Sequence, residues 1–143
     1  MTKQMNASTI IPAMRYRNAP AAINWLCTAF GFEKKLVVPG PNETIAHAEL
    51  TCGHGMMMLG SVAKDNLPYL MKQPDEIDGG QTATVYVVVS NVGAVYARAK
   101  AAGAVMVVEL EAKDFGGEAF TCRDVEGHIW NFGSYDPWTE EAV

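Results

Sequence analysis

The sequence predicts an α+β fold in which one βαβββ pattern is written twice. Three observations carry this. Two segments with helical spacing, 18–31 and 91–103, each begin at an asparagine and stop at a glycine. Each is preceded by one β-rich run and followed by three more. Four landmarks also recur at a nearly constant offset. Asn18 and Asn91 are 73 residues apart, Gly31 and Gly103 72, Thr51 and Thr121 70, Gly60 and Gly133 73.

In chain order, residues 10–16 (Ile-Ile-Pro-Ala-Met-Arg-Tyr) read as the first strand. Asn18 is a good N-cap, and Gly31 a good stop, for a helix whose Ala22, Leu26 and Ala29 fall on one face. A strand over 34–38 and a hairpin of 44–52 with 56–60 complete the first copy. Residues 61–81 contain Pro68, Pro74 and Gly79-Gly80, and read as a connecting loop with at most a short helix near 67–72. The second copy starts with a strand over 84–90. Its helix runs from Asn91 to Gly103, with Val92, Val95, Tyr96 and Ala99 at helical spacing. A strand over 105–110 and a hairpin of 118–123 with 128–133 follow. The expectation is one domain over 1–143, with modules at about 8–60 and 82–138 joined by the loop 61–81.

Composition bounds the function. The chain has 143 residues, 49% of them hydrophobic and 19% charged, an ordinary globular mix. No run of eighteen apolar residues predicts a membrane span, and Met1 to Met5 carries no apolar stretch of signal-peptide type. A formal charge of −5 argues against nucleic acid as a partner. Cys27, Cys52 and Cys122 form no CxxC pair, so neither a disulfide framework nor a zinc knuckle is expected. These features together predict a cytoplasmic protein with reduced thiols. No G-x-S-x-G nucleophile elbow and no G-x-G-x-x-G ahead of a helix occurs.

Several motifs carry a resemblance. Asn18-Ala-Pro-Ala-Ala-Ile-Asn-Trp-Leu-Cys-Thr-Ala-Phe-Gly-Phe32 resembles the first helix, with its terminal Gly-Phe, of the vicinal-oxygen-chelate superfamily. Arg123-Asp-Val-Glu-Gly-His-Ile-Trp-Asn-Phe-Gly133 resembles that superfamily's closing motif, with Val125 where proline is usual. Ile45-Ala-His-Ala-Glu-Leu50 and Met56-Met-Met-Leu-Gly60 are similar to strands of its glyoxalase-like and bleomycin-resistance-like members. The resemblance spans about 10–138. It implies eight strands wrapped as an open cup or barrel around a cavity, helices outside, and a homodimer.

The resemblance also implies where a metal would sit. The family's ligand positions fall near Ile11, Met58, Thr84 and Asn131, and Asn131 stands where the family's metal glutamate would be. None of the four is a histidine or carboxylate, and a thioether suits copper(I) rather than the harder divalent ions. The expectation is therefore that no cofactor is held and the usual metal is absent. A weaker alternative has His47 and Glu49, two apart on one strand face, holding a divalent metal with Asn131.

Strand alternation, combined with the implied cup, sorts the side chains. Trp130 and Phe132 pack beneath a helix, and Ile129 and Asn131 face away. By the repeat, Met57 and Leu59 are core while Met56 and Met58 face the cavity. The expected lining is Arg15, His47, Glu49, Met56, Met58, Tyr86, Phe120 or its neighbour Thr121, and Asn131, with Phe115 as a lid contact from 113–117. Mostly apolar walls with a few polar groups make a small-molecule site.

The favoured function is a glyoxalase/bleomycin-resistance-like protein that binds a small, largely apolar molecule in that cavity without the family's metal site. The alternative is a metal-dependent lyase, isomerase or dioxygenase of the superfamily with an altered metal site. Whether catalysis occurs stays open; His47 and Glu49 are the candidate catalytic groups, either being able to act as a general base.

Overall fold

The structure, a computed structural model, describes residues 7–63, 70–114 and 116–139. Each of the two copies forms its own four-stranded sheet, so α+β and the doubled βαβββ pattern both hold. The described chain falls into two compact units. One holds residues up to Cys27 and from Gly31 to Gln73; the other holds Thr28–Phe30 and the residues from Pro74 onward.

In the first unit β1 (Ala13–Tyr16) leads into α1 (Ala19–Phe30), then β2 (Glu33–Pro39), β3 (Ile45–Cys52) and β4 (Gly55–Ser61). The sheet order is β1-β4-β3-β2, with β1 parallel to β4 and the other pairs antiparallel. The β1 strand starts at Ala13, later than the pattern suggested. Pro12 has no N–H to offer a ladder, although its carbonyl still accepts from Met58 N at 2.9 Å. The Asn18 side chain caps α1 by accepting from Ala21 N. Gly31, at φ 76°, ends the helix in the left-handed conformation that glycine adopts freely.

The second unit repeats this plan. A 3₁₀ turn at Pro74–Ile77 precedes β5 (Val85–Val88), α2 (Val92–Ala101), β6 (Val105–Ala112), β7 (Glu118–Arg123) and β8 (Ile129–Gly133), in the sheet order β5-β8-β7-β6. Asn91 caps α2 through Ala94 N at φ −117° and ψ 75°, almost the angles of Asn18, −116° and 75°. Of the short helix expected near 67–72, residues 64–69 lie outside those described; the helical turn observed is at Pro74–Ile77 instead.

Register corrects one landmark of the repeat. Glu49 pairs with Met58, and Thr121 pairs with Asn131. Met58 and Asn131 are 73 residues apart, so the structural counterpart of Thr121 is Glu49, not Thr51. The Thr-Cys echo at 51 and 121 is two residues out of register.

Each sheet has one buried face. In the first unit Ala48, Leu50, Met57 and Leu59 are buried, as are Ala19, Ala22, Ile23 and Leu26 of α1. Pro20, Ile23 and Asn24 share a shallow recess with Lys34, Val37 and Ile45, which sets the helix beside β2 and β3. In the second unit Phe120, Phe132 and Trp130 form the core, and Phe30 packs on it with ring centroids 4.6 Å from Phe132 and 5.4 Å from Trp130.

Candidate functional site

The face of the first sheet opposite its core carries the most suggestive chemistry. Register places its side chains in rows across the strands. One row runs Ala13, Met58, Glu49, Leu36. The next holds Arg15 and Gly60 on β1 and β4, and His47 and Val38 on β3 and β2. On the other side lie Met56, Thr51 and Glu33. Met56 and Met58 are half-buried while Met57 between them is 4% exposed, which is the alternation the sequence predicted.

His47 and Glu49 do come together. Imidazole Nε2 lies 2.9 Å from carboxylate Oε2, with both side chains partly exposed. A proton on Nε2 donates to Glu49 and leaves Nδ1 as an acceptor. Arg15 reaches across Gly60, its Nη1 occupying the space into which a Cβ would project there. Sequence reasoning missed Leu36 and Val38, both exposed on this face. Their two-residue spacing on one strand is the signal that could have found them.

The second sheet has an equivalent face with different chemistry. Tyr86, Asn131, Thr121 and Val108 form its central row. Both ends of the Asn131 amide are hydrogen-bonded. Its Nδ2 donates to Thr84 Oγ1 at 3.0 Å and Val85 O at 3.1 Å, and its Oδ1 accepts from Thr121 Oγ1 at 2.7 Å. Tyr86 crosses Gly133 as Arg15 crosses Gly60, and its hydroxyl donates to Tyr135 O at 2.8 Å. Partial burial, then the nearby charge of Asp136, push the Tyr86 phenol above its ordinary pKa.

Phe120 does not belong with these groups. It pairs with Phe132 in register and is fully buried on the covered face, stacked on Phe132 with centroids 5.2 Å apart. Thr121 takes the open position, because adjacent strand residues point to opposite faces. Phe115 lies outside the described residues.

The closing motif turns out to be a folding device. Asp124 is buried, and its Oδ1 accepts from Glu126 N and His128 N, both at 3.0 Å. Its Oδ2 accepts from Trp130 Nε1 at 3.0 Å. Arg123 Nη1 donates to Gly127 O at 2.9 Å, and Gly127 adopts φ 96°. The arginine, aspartate, glycine and tryptophan of the motif thus hold one turn together. Burial, with the Asp124 charge, pushes the Cys122 thiol up to about 12, which makes it a poor nucleophile.

The positions implied for a metal do not fit a divalent ion. Register sets Ala13 beside Met58 and Tyr86 beside Asn131, so the first-strand neighbours are one turn of the pleat away from Ile11 and Thr84. Neither neighbour is a histidine or carboxylate. The Asn131 oxygen already accepts from Thr121. Among the described residues no group of three or more histidine, cysteine, aspartate or glutamate side chains could hold a metal.

Comparison with known proteins agrees with this architecture. The sequence profile of the Glyoxalase/Bleomycin resistance protein/Dioxygenase superfamily matches residues 11–132. The uncharacterized protein Mb0911c of Mycobacterium bovis is 30% identical over 126 residues, covering 85% of this chain and 80% of that protein. The crystal structure of TioX from Micromonospora sp. ML1 is similar at a TM-score of 0.68 and 33% identity, covering 89% of this chain and 98% of that one. A glyoxylase/bleomycin resistance protein/dioxygenase domain from Frankia sp. EAN1pec shares the fold at a TM-score of 0.67 and 14% identity, over 89% of this chain and 96% of that one. With the profile spanning both βαβββ copies and the closing turn, the chain belongs to the Glyoxalase/Bleomycin resistance protein/Dioxygenase superfamily.

Proposed function

We propose that the protein binds a small, largely apolar molecule on the open face of its first sheet, without the divalent metal used by many members of its superfamily. One observation carries the reading. Met58, Leu36, Val38 and Met56 stay partly exposed around a single hydrogen-bonded polar pair, His47 and Glu49. Apolar side chains on a sheet normally face a core, and exposed ones gathered around placed polar groups mark a ligand surface. Methionines suit it, because an unbranched thioether adapts its shape to what it touches. The poor fit of Met58, Ala13, Tyr86 and Asn131 to a hard cation supports the metal-free part.

Two further features belong to this reading. A homodimer is supported by the exposed Val105 and Val107 on edge strand β6. A reducing, cytoplasmic setting is supported by Cys27, Cys52 and Cys122, none of which forms a disulfide. No helix among the described residues is long and apolar enough to cross a membrane.

The test is a fluorescence titration with the neutral apolar probe N-phenylnaphthylamine, together with elemental analysis of the purified protein. The expected result is saturable binding weakened several-fold by Met58→Ala, with no stoichiometric divalent metal. A stoichiometric metal lost on changing His47 or Glu49 to alanine would overturn the metal-free assignment. Sedimentation velocity checks the dimer.

A further inference from the structure

The character of the ligand follows from the charge on this face, if the ligand-binding reading above holds. Glu49 stands in a row whose other members, Ala13, Met58 and Leu36, are all apolar. Its side chain is only 22% exposed. Among the described residues its one partner is the His47 imidazole, which engages a single carboxylate oxygen, Oε2. A carboxylate partly withdrawn from water is costly unless charge or hydrogen bonds compensate it. Among the described residues no hydrogen bond reaches the other oxygen, Oε1.

Two cations of this sheet are placed off the row of Glu49. Arg15 folds over Gly60 in the adjoining row. Lys34, on β2, pairs in register with the buried Leu50 and so points to the other face. The chain as a whole carries −5, so its long-range field also attracts positive charge. Around Glu49, Met56, Met58, Leu36 and Val38 offer apolar contact, and thioethers in particular contact aromatic rings favourably.

We infer that the ligand is an organic cation with a flat apolar body, its protonated nitrogen donating to Glu49 and its body lying on Met58 and Leu36. The carboxylate then gains the counter-charge that its row lacks, and His47 orients it by holding Oε2.

Three fluorescent aromatic probes of matched size test this on the intact chain at neutral pH: aminoacridine, which is cationic, neutral N-phenylnaphthylamine, and anionic anilinonaphthalene sulfonate. The variants are Glu49→Gln, nearly isosteric, and Glu118→Gln, which removes an exposed acid from β7 of the second sheet. The cation is expected to bind most tightly. Glu49→Gln should weaken it by about tenfold, as expected for a charge-assisted hydrogen bond, and leave the neutral probe unchanged. Glu118→Gln should leave both unchanged, and equal unfolding midpoints for the variants would confirm intact folds. Equal or tighter binding of the neutral probe overturns this inference but leaves the ligand-binding reading standing. So does a cation insensitive to Glu49→Gln, or one weakened equally by Glu118→Gln. Failure of all three probes to bind overturns that reading, and this inference with it.

Discussion

The buried carboxylate of Asp124 accepts a hydrogen bond from the buried indole of Trp130 at 3.0 Å. With two backbone amides on its other oxygen, this carboxylate organises the turn between β7 and β8. Asp124→Ala leaves three donors without their acceptor. It is expected to cost about 2–4 kcal/mol in urea unfolding, since each buried orphaned donor costs roughly 1–3 kcal/mol and neighbouring losses overlap. Trp130→Phe keeps the ring but removes the indole donor, and should cost less than Asp124→Ala. The reverse order would show that packing of the indole, not the Asp124 network, dominates.

Gly60 and Gly133 occupy matching places in the two sheets, yet their substitutions should differ. A Cβ on Gly60 would strike Arg15 Nη1, the end of a flexible side chain. One on Gly133 would strike the Tyr86 hydroxyl, Cε1 and Cζ, all within 2.9 Å, and so a rigid ring. Gly133→Ala is therefore expected to cost about 1–3 kcal/mol, the usual penalty for overpacking, and Gly60→Ala less. Combining Gly133→Ala with Tyr86→Ala should recover part of the loss, measured as a double-mutant cycle.

Stability should fall on the alkaline side because of Cys122. Its thiol pKa is raised from 9.0 to about 12 in the folded chain, chiefly by burial. Between those values the unfolded thiol has released its proton while the folded one keeps it. The folded state therefore binds more protons, and stability declines as pH rises through this window. Cys122→Ala should flatten that decline in denaturant midpoints measured from about pH 9 upward. The same burial predicts that iodoacetamide labels Cys122 last. Cys122 modification as fast as that of Cys27 would contradict its burial.

On α2 and β6, Tyr96 donates to Glu109, and Lys100 donates to the same phenol at 3.2 Å. The phenol hydrogen bond holds the Glu109 carboxyl below its ordinary pKa. Tyr96→Phe should move the Glu109 titration, followed by NMR, upward toward the usual carboxylate range. The contact lies at the surface, so little change in overall stability is expected.

Much of this was legible in the sequence because local chemistry writes itself locally. Asn18, Asn91 and Gly31 announce the helix ends, since caps depend on a few adjacent residues. Alternation assigned Met56, Met57, Met58 and Leu59 to their faces, since a strand has period two whatever surrounds it. That His47 and Glu49 share a face followed from the same periodicity. The choice between Phe120 and Thr121 stays open in the sequence for a related reason. Parity within β7 separates Phe120 from Thr121 but does not say which of them faces the core; only the pairing with Phe132 and Asn131 decides.

The amino-acid order by itself determined the duplicated βαβββ pattern, its caps and turns, and the lack of histidine or carboxylate at the implied metal positions. Tertiary structure decided the rest, because cross-strand register is a long-range property. It set Leu36 beside Glu49, showed Glu49 rather than Thr51 to be the counterpart of Thr121, and used up the Asn131 amide on Thr84, Val85 and Thr121. It also folded Arg15 across Gly60, leaving a carboxylate among apolar neighbours. Residues far apart in the chain become neighbours only when strands pair, and no local pattern encodes the offset at which they do.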